Sequence, residues 1–201
     1  MDSQAAALII HDIKNALSVL EGELQALSLE PERERAQRAS RDCAVLREKL
    51  VGFLTLYTAS SGSLRARVEA LSPEDFLKGW LADSLHARSG VVVEIDAAEM
   101  PPLAFFDEYL VGLALDAALQ NAVRFARTRV QVACRSTDTQ GVSFEVRDDG
   151  AGLGQDGGRR STGLGTELCR AVAAAHRSGE RVGRCRLYDG GSGAVFELHL
   201  P

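Results

Sequence analysis

The sequence predicts an α+β chain, with a long antiparallel helical hairpin followed by an α/β sandwich. Three observations lead there. Ile10, Ile13, Leu17, Leu20, Leu24 and Leu27 alternate spacings of three and four, and Ala36, Ala39, Cys43, Leu46, Leu50, Phe53 and Tyr57 do the same, as two helices with one apolar seam each would. Beyond Ser72 the texture changes to β-rich runs interleaved with helical patterns and glycine turns. Between the two lies Ser60-Ser61-Gly62-Ser63, so a boundary is expected between residues 1–62 and 63–201.

The first helix is expected from about Gln4 to Ser28, where Leu29-Glu30-Pro31 interrupts it and Pro31 suits the first turn of the next. So short a connection makes the pair antiparallel. Two helices alone bury too little, so the hairpin is expected to dimerise into a four-helix bundle that encloses the remaining seam.

In the second part, Ser72 caps a helix running to about Ala87, whose apolar face carries Phe76, Leu77 and Trp80. Val91–Ile95 reads as a strand, Asp107–Arg127 as a longer helix, and Arg129–Arg135 and Val142–Arg147 as two more strands. A glycine-rich segment from Gly150 to Gly165 opens into a helix from about Leu164 to Arg177. Arg184–Tyr188 and Ala194–Leu200 then form a hairpin around Gly190-Gly191-Ser192-Gly193.

With 45% hydrophobic and 25% charged residues and a net charge of −5, the chain can bury a proper core and has no concentrated basic patch for nucleic acid. No apolar run is long enough to span a membrane, and no basic segment precedes one as in a signal peptide, so a cytoplasmic protein is expected. Cys43, Cys134, Cys169 and Cys185 lack the close spacing of zinc or dithiol motifs and read as packing residues. His86 and His176 fall near helix C-termini, where a cation meets the dipole favourably, and His199 lies in the last strand.

Four constellations carry chemistry. His11-Asp12-Ile13-Lys14-Asn15 places an imidazole beside the first seam, with Asn15 one helical turn further on the same face. Asn121 and Arg124 share a face of the long helix, where an amide oxygen beside a cation suits a magnesium ion and a phosphate. Asp148-Asp149-Gly150-Ala151-Gly152 follows a strand, so that a carboxylate can accept from an adenine amine while the glycines let the backbone approach the ring. Ser161-Thr162-Gly163-Leu164-Gly165 precedes a helix whose free N–H groups favour an anion such as a triphosphate. Taken singly, each has an ordinary reading: a surface Asn, a tight turn, a helix start, a solvated histidine.

Their order over nearly the whole chain, ending at Leu200-Pro201, resembles the cytoplasmic core of two-component histidine kinases. The resemblance implies a dimerisation and histidine-phosphotransfer hairpin over 1–62 and a catalytic ATP-binding domain of the Bergerat type over 63–201. It makes His11 the phosphoacceptor, Asp12 the acid that helps remove its proton, and Asn15 the residue used in phosphatase chemistry. It makes Asn121 the magnesium ligand, Asp148 the adenine-binding acid, Gly150 and Gly152 the first glycine box, and Gly163 and Gly165 the second, with Arg124, Thr162 and Leu164 completing the nucleotide site.

Two departures stand out. Where the family often has a further Asn, four residues before Asn121, this chain has Ala117, with Asp116 beside it as a substitute. The stretch from Leu153 to Thr162 is shorter than the family's usual lid and lacks its phenylalanine; Arg159 and Arg160 read either as phosphate contacts or as a solvated charge pair. The expected function is autophosphorylation of His11 from Mg-ATP and transfer to an aspartate of a response-regulator receiver domain, by a homodimer. The alternatives are an ATP-independent histidine phosphotransferase and a scaffold or phosphatase acting through Asn15. His11 lies so near Met1 that sensory input is expected from a separate protein.

Overall fold

The computed structural model describes residues 3–84, 90–137, 141–153 and 163–201. The chain forms two compact units, Met1–Ser63 and Leu64–Pro201.

The first unit is a hairpin of α1 (Ser3–Leu29) and α2 (Arg33–Ser60). Glu32 takes the extended N-cap conformation of α2, so Pro31 stands before the cap and not in the first turn where the sequence placed it. Each seam is split into two rows at heptad spacing. Ile13, Leu20 and Leu27 on α1, and Ala39, Leu46 and Phe53 on α2, are buried or half-buried between the helices. Ile10, Leu17 and Leu24, and likewise Ala36, Cys43, Leu50 and Tyr57, remain exposed. Glu23 is half-buried, and its Oε2 is buried with no hydrogen-bond partner among the described residues.

The second unit runs β1 (Glu69–Leu71), α3 (Pro73–Asp83), β2 (Val92–Asp96), β3 (Ala104–Phe106), α4 (Glu108–Phe125), β4 (Arg129–Ser136), β5 (Val142–Asp148), α5 (Leu164–Ala175), β6 (Arg177–Ser178), β7 (Arg181–Val182), β8 (Arg184–Asp189) and β9 (Ala194–Leu200). A five-stranded sheet has the order β2-β4-β5-β9-β8, with β2 parallel to β4 and the other pairs antiparallel. Alternation sends Val130, Val132, Phe144, Val146 and Leu198 into the core, where they meet Val111, Leu115 and Leu119 of α4 and Leu168 and Val172 of α5. Phe76, Phe106 and Phe144 pack edge to face, with centroids 5.0, 5.9 and 5.1 Å apart. The opposite face carries charge, including Arg135 paired with Asp96 at 2.7 Å and Arg186 with Glu197.

Several boundaries differ from the sequence reading. The chain adds the short ladders β1–β3 and β6–β7, too brief for an alternating pattern to register. α3 stops at Asp83 because Ser84 is already extended; His86 and Ala87 lie outside the described residues. α4 starts after Asp107, which is its N-cap, and α5 ends at Ala175, where His176 turns extended. Among the described residues no helix is long and apolar enough to cross a membrane.

Candidate functional site

The end of β5 delivers Asp148 into a buried position. Its Oδ1 accepts the backbone N–H groups of Gly150 at 2.8 Å and Ala194 at 3.2 Å, leaving Oδ2 without a partner among the described residues. This is a carboxylate fixed by two donors on one side and available on the other. The glycines around it answer to close packing. A Cβ on Gly150 would fall 2.4 Å from the carbonyl oxygen of Phe125, and one on Gly193 would fall 1.9 Å from that of Asp148. Gly152 has a positive φ of 83° and its missing side chain faces the Asp189 carboxylate. The β8–β9 turn, read in the sequence only as a hairpin, is therefore a wall of this site. Its glycine density was the available signal.

Asp149, the neighbouring acid, points away and caps the chain between α4 and β4. The Thr128 hydroxyl and the N–H groups of Thr128 and Arg127 donate to it and hold its carboxyl well below the usual carboxylate range.

On α4, the Asn121 amide nitrogen donates to the Ala117 carbonyl at 3.1 Å, which leaves Oδ1 as an acceptor without a partner among the described residues. The start of α5 comes to meet it: a Cβ on Gly165 would lie 3.8 Å from Asn121 Nδ2 and 3.5 Å from the Ala117 methyl. Gly163 is the N-cap of α5 in the left-handed conformation, φ 71°, without a side-chain cap bond, so the N–H groups at Leu164 and Gly165 begin a helix beside Asn121. Arg124 is exposed, one turn on, with its guanidinium 5.3 Å from the centroid of the Phe125 ring. The structure thus gathers Asn121, Gly163, Leu164 and Gly165 at one place and Asp148, Gly150 and Gly152 at another. Thr162, Arg159 and Arg160 lie outside the described residues. Asp116 is no stand-in for the missing Asn, because it turns toward α3 and accepts the Trp80 indole N–H at 2.9 Å. Among the described residues no cluster of three or more His, Cys, Asp or Glu could hold a metal.

The position of α4 is set from its first turn. Asp107 Oδ1 caps the Leu110 N–H at 2.8 Å and Oδ2 accepts the Arg67 N–H at 2.6 Å. His176, expected to be a cation at a helix end, is instead buried, and burial lowers its pKa. Burial also pushes the thiols of Cys134 and Cys169 up to about 12, as packing residues require, whereas Cys43 is exposed on the open row of α2.

In the hairpin unit, His11 is two-thirds exposed. Its Nδ1 lies 3.2 Å from Asn15 Nδ2 and 3.8 Å from Asp12 Oδ1, so an amide and a carboxylate flank the same ring nitrogen.

Residues 106–201 match the family model described as histidine kinase-, DNA gyrase B- and HSP90-like ATPase. The whole chain has the fold of a sensor histidine kinase core, hairpin included. It superposes on the Acinetobacter baumannii histidine kinase AdeS with a TM-score of 0.72 at 20% identity, over 94% of this chain and 96% of that one. Full-length ShkA in complex with AMPPNP gives 0.66 at 19% identity, over 98% of this chain and 45% of that one. The cytoplasmic segment of histidine kinase QseC gives 0.55 at 17%, over 77% and 94%. No curated protein sequence matches the chain.

Proposed function

We propose that this chain is a histidine protein kinase of a two-component system, taking the γ-phosphoryl group of Mg-ATP onto His11 and passing it to an aspartate of a response-regulator receiver domain. The observation that carries the reading is Asp148: a buried carboxylate with one oxygen tied to backbone donors and the other available, under glycines that a side chain would obstruct.

The residues fit ATP. Asp148 Oδ2 would accept the exocyclic amine of adenine, the N–H groups at the start of α5 would hold phosphate oxygens, Arg124 would add a cation, and Asn121 Oδ1 would be the residue's ligand to magnesium. Magnesium supplies charge neutralisation across the phosphates. On the hairpin, Asp12 takes the Nδ1 proton as the Nε2 lone pair of His11 forms the N–P bond and the P–O bond to the ADP leaving group breaks. Asn15, on the same face, suits the orientation of a water against a receiver's phospho-aspartate. The open apolar rows of α1 and α2 support a homodimer, since a second hairpin covers both at once.

One observation favours a second reading, an ATP-independent histidine phosphotransferase. Ala117 offers no polar group where the family often has Asn, and Gly165 packs close to it. Incubation with Mg and γ-labelled ATP separates the two. Acid-labile label on the chain, absent from His11→Gln, supports the kinase. No label on either, with His11 still phosphorylated by a phospho-receiver, overturns it in favour of the relay.

A further inference from the structure

We propose that Asn15 is a positioning residue that holds the proton of the resting His11 imidazole on Nε2 and so restrains phosphoryl uptake; this rests on the reading of His11 as the phosphoryl acceptor. Two groups approach the same ring nitrogen. The Asn15 amide nitrogen is 3.2 Å from Nδ1, within hydrogen-bond reach, and the Asp12 carboxylate oxygen is 3.8 Å away, outside it.

The two groups ask for opposite protonation. An amide nitrogen has hydrogens only to donate, so the Nδ1 that receives one carries a lone pair. A neutral imidazole has a single N–H, which then sits on Nε2. In that tautomer Nε2 has no in-plane lone pair to offer phosphorus. A carboxylate at Asp12 can only accept, and it can engage Nδ1 only when the proton is there, the form in which Nε2 is the nucleophile. Asn15 and Asp12 therefore compete for one atom. In the hairpin the amide holds it.

The geometry makes the restraint reversible. His11 and Asn15 are both exposed and one helical turn apart, so rotating the Asn15 side chain away frees Nδ1 without disturbing the seam. Any ligand that draws the amide off, such as an acyl phosphate or carboxylate docked on this face, releases His11 at the same time. One side chain thereby couples occupancy of the docking face to the reactivity of the acceptor.

The test is ¹⁵N NMR of the histidine ring nitrogens in the full chain at alkaline pH, where an ordinary imidazole is neutral. His11→Gln assigns the signals. The expected result is a lone-pair-type Nδ1 and a protonated-type Nε2 for His11. Both should move toward the average of two tautomers in Asn15→Ala, and the proton should move to Nδ1 in Asn15→Asp, which keeps the size and loses the donor. The initial rate of labelling from Mg-ATP should rise about threefold in Asn15→Ala, the scale of one exposed hydrogen bond. Identical ring shifts in wild type and both Asn15 variants, a protonated Nδ1 in the wild type, or a slower Asn15→Ala would overturn the proposal. Ring shifts as expected with no label on any chain would leave the tautomer assignment standing and remove the kinase reading.

Discussion

The backbone N–H of Asp107 donates to Nε2 of His176 at 3.0 Å, while Nδ1 of the same ring donates to the Val172 carbonyl at 2.8 Å. The ring is neutral by construction, its proton on Nδ1, and it ties the start of α4 to the end of α5. Both elements carry residues of the nucleotide site proposed above, Asn121 on α4 and Gly165 on α5.

Acid should loosen that tie. Burial holds His176 below its ordinary pKa of 6.5, so the unfolded chain binds the proton more readily. Its contribution to stability is fully present above about pH 6.5 and is lost as pH falls through the lowered folded value. Urea midpoints measured from pH 8 down to 5 should fall in the wild type and fall less in His176→Leu.

His176→Leu itself leaves the Asp107 N–H without its acceptor inside the core. A loss of about 2–3 kcal/mol is expected, the scale of an orphaned buried donor, read as a lower urea midpoint at pH 8.

Consecutive carboxylates should respond differently to the same change. Asp148→Asn can still accept both backbone donors through its oxygen, but its amide then meets the adenine amine donor to donor. ATP affinity by calorimetry should drop about ten- to a hundredfold with the thermal midpoint little changed. Asp149→Asn should lower the thermal midpoint and spare affinity, because its partners are Thr128 and Arg127 of the α4–β4 connection.

Gly193→Ala should damage fold and site together. The added methyl would sit 1.9 Å from the Asp148 carbonyl oxygen, at a φ of 125° that side chains avoid. A cost of about 3 kcal/mol or more is expected, visible as a lower melting temperature and weaker nucleotide binding.

Glu23→Leu should stabilise the hairpin. The carboxylate turns Oε2 inward with no donor among the described residues, and an apolar side chain removes that desolvation cost. A gain of ~1 kcal/mol is expected, as a higher midpoint of the hairpin's helical signal at fixed protein concentration.

The long helices and the sheet were legible because their periods repeat over many residues: the three-four spacing of Ile10 to Leu27, the alternation of Val130, Val132 and Cys134. The glycines at 150, 152, 163 and 165 were legible as a set. What escaped was short or three-dimensional. β1 and β6 span too few residues to show a period. Nothing local announces that Asp149 serves a turn while Asp148 stays open, because that depends on Ala194 arriving from a distant strand. His176 looked like a helix-end cation because its burial comes from elements far away in sequence. Asp116 looked available because Trp80, which occupies it, sits on another helix.

The open rows of the hairpin carry one more consequence, in mass action. Ile10, Leu17 and Leu24 on α1, and Leu50 and Tyr57 on α2, are exposed, so in the homodimer proposed above folding the hairpin and meeting its twin would be one equilibrium. Each tenfold dilution then weakens the assembled bundle by about 1.4 kcal/mol per dimer. The second unit, whose core closes on itself, has no such dependence. A heated solution should accordingly show two events, one that slides with protein concentration and one that stays where it is.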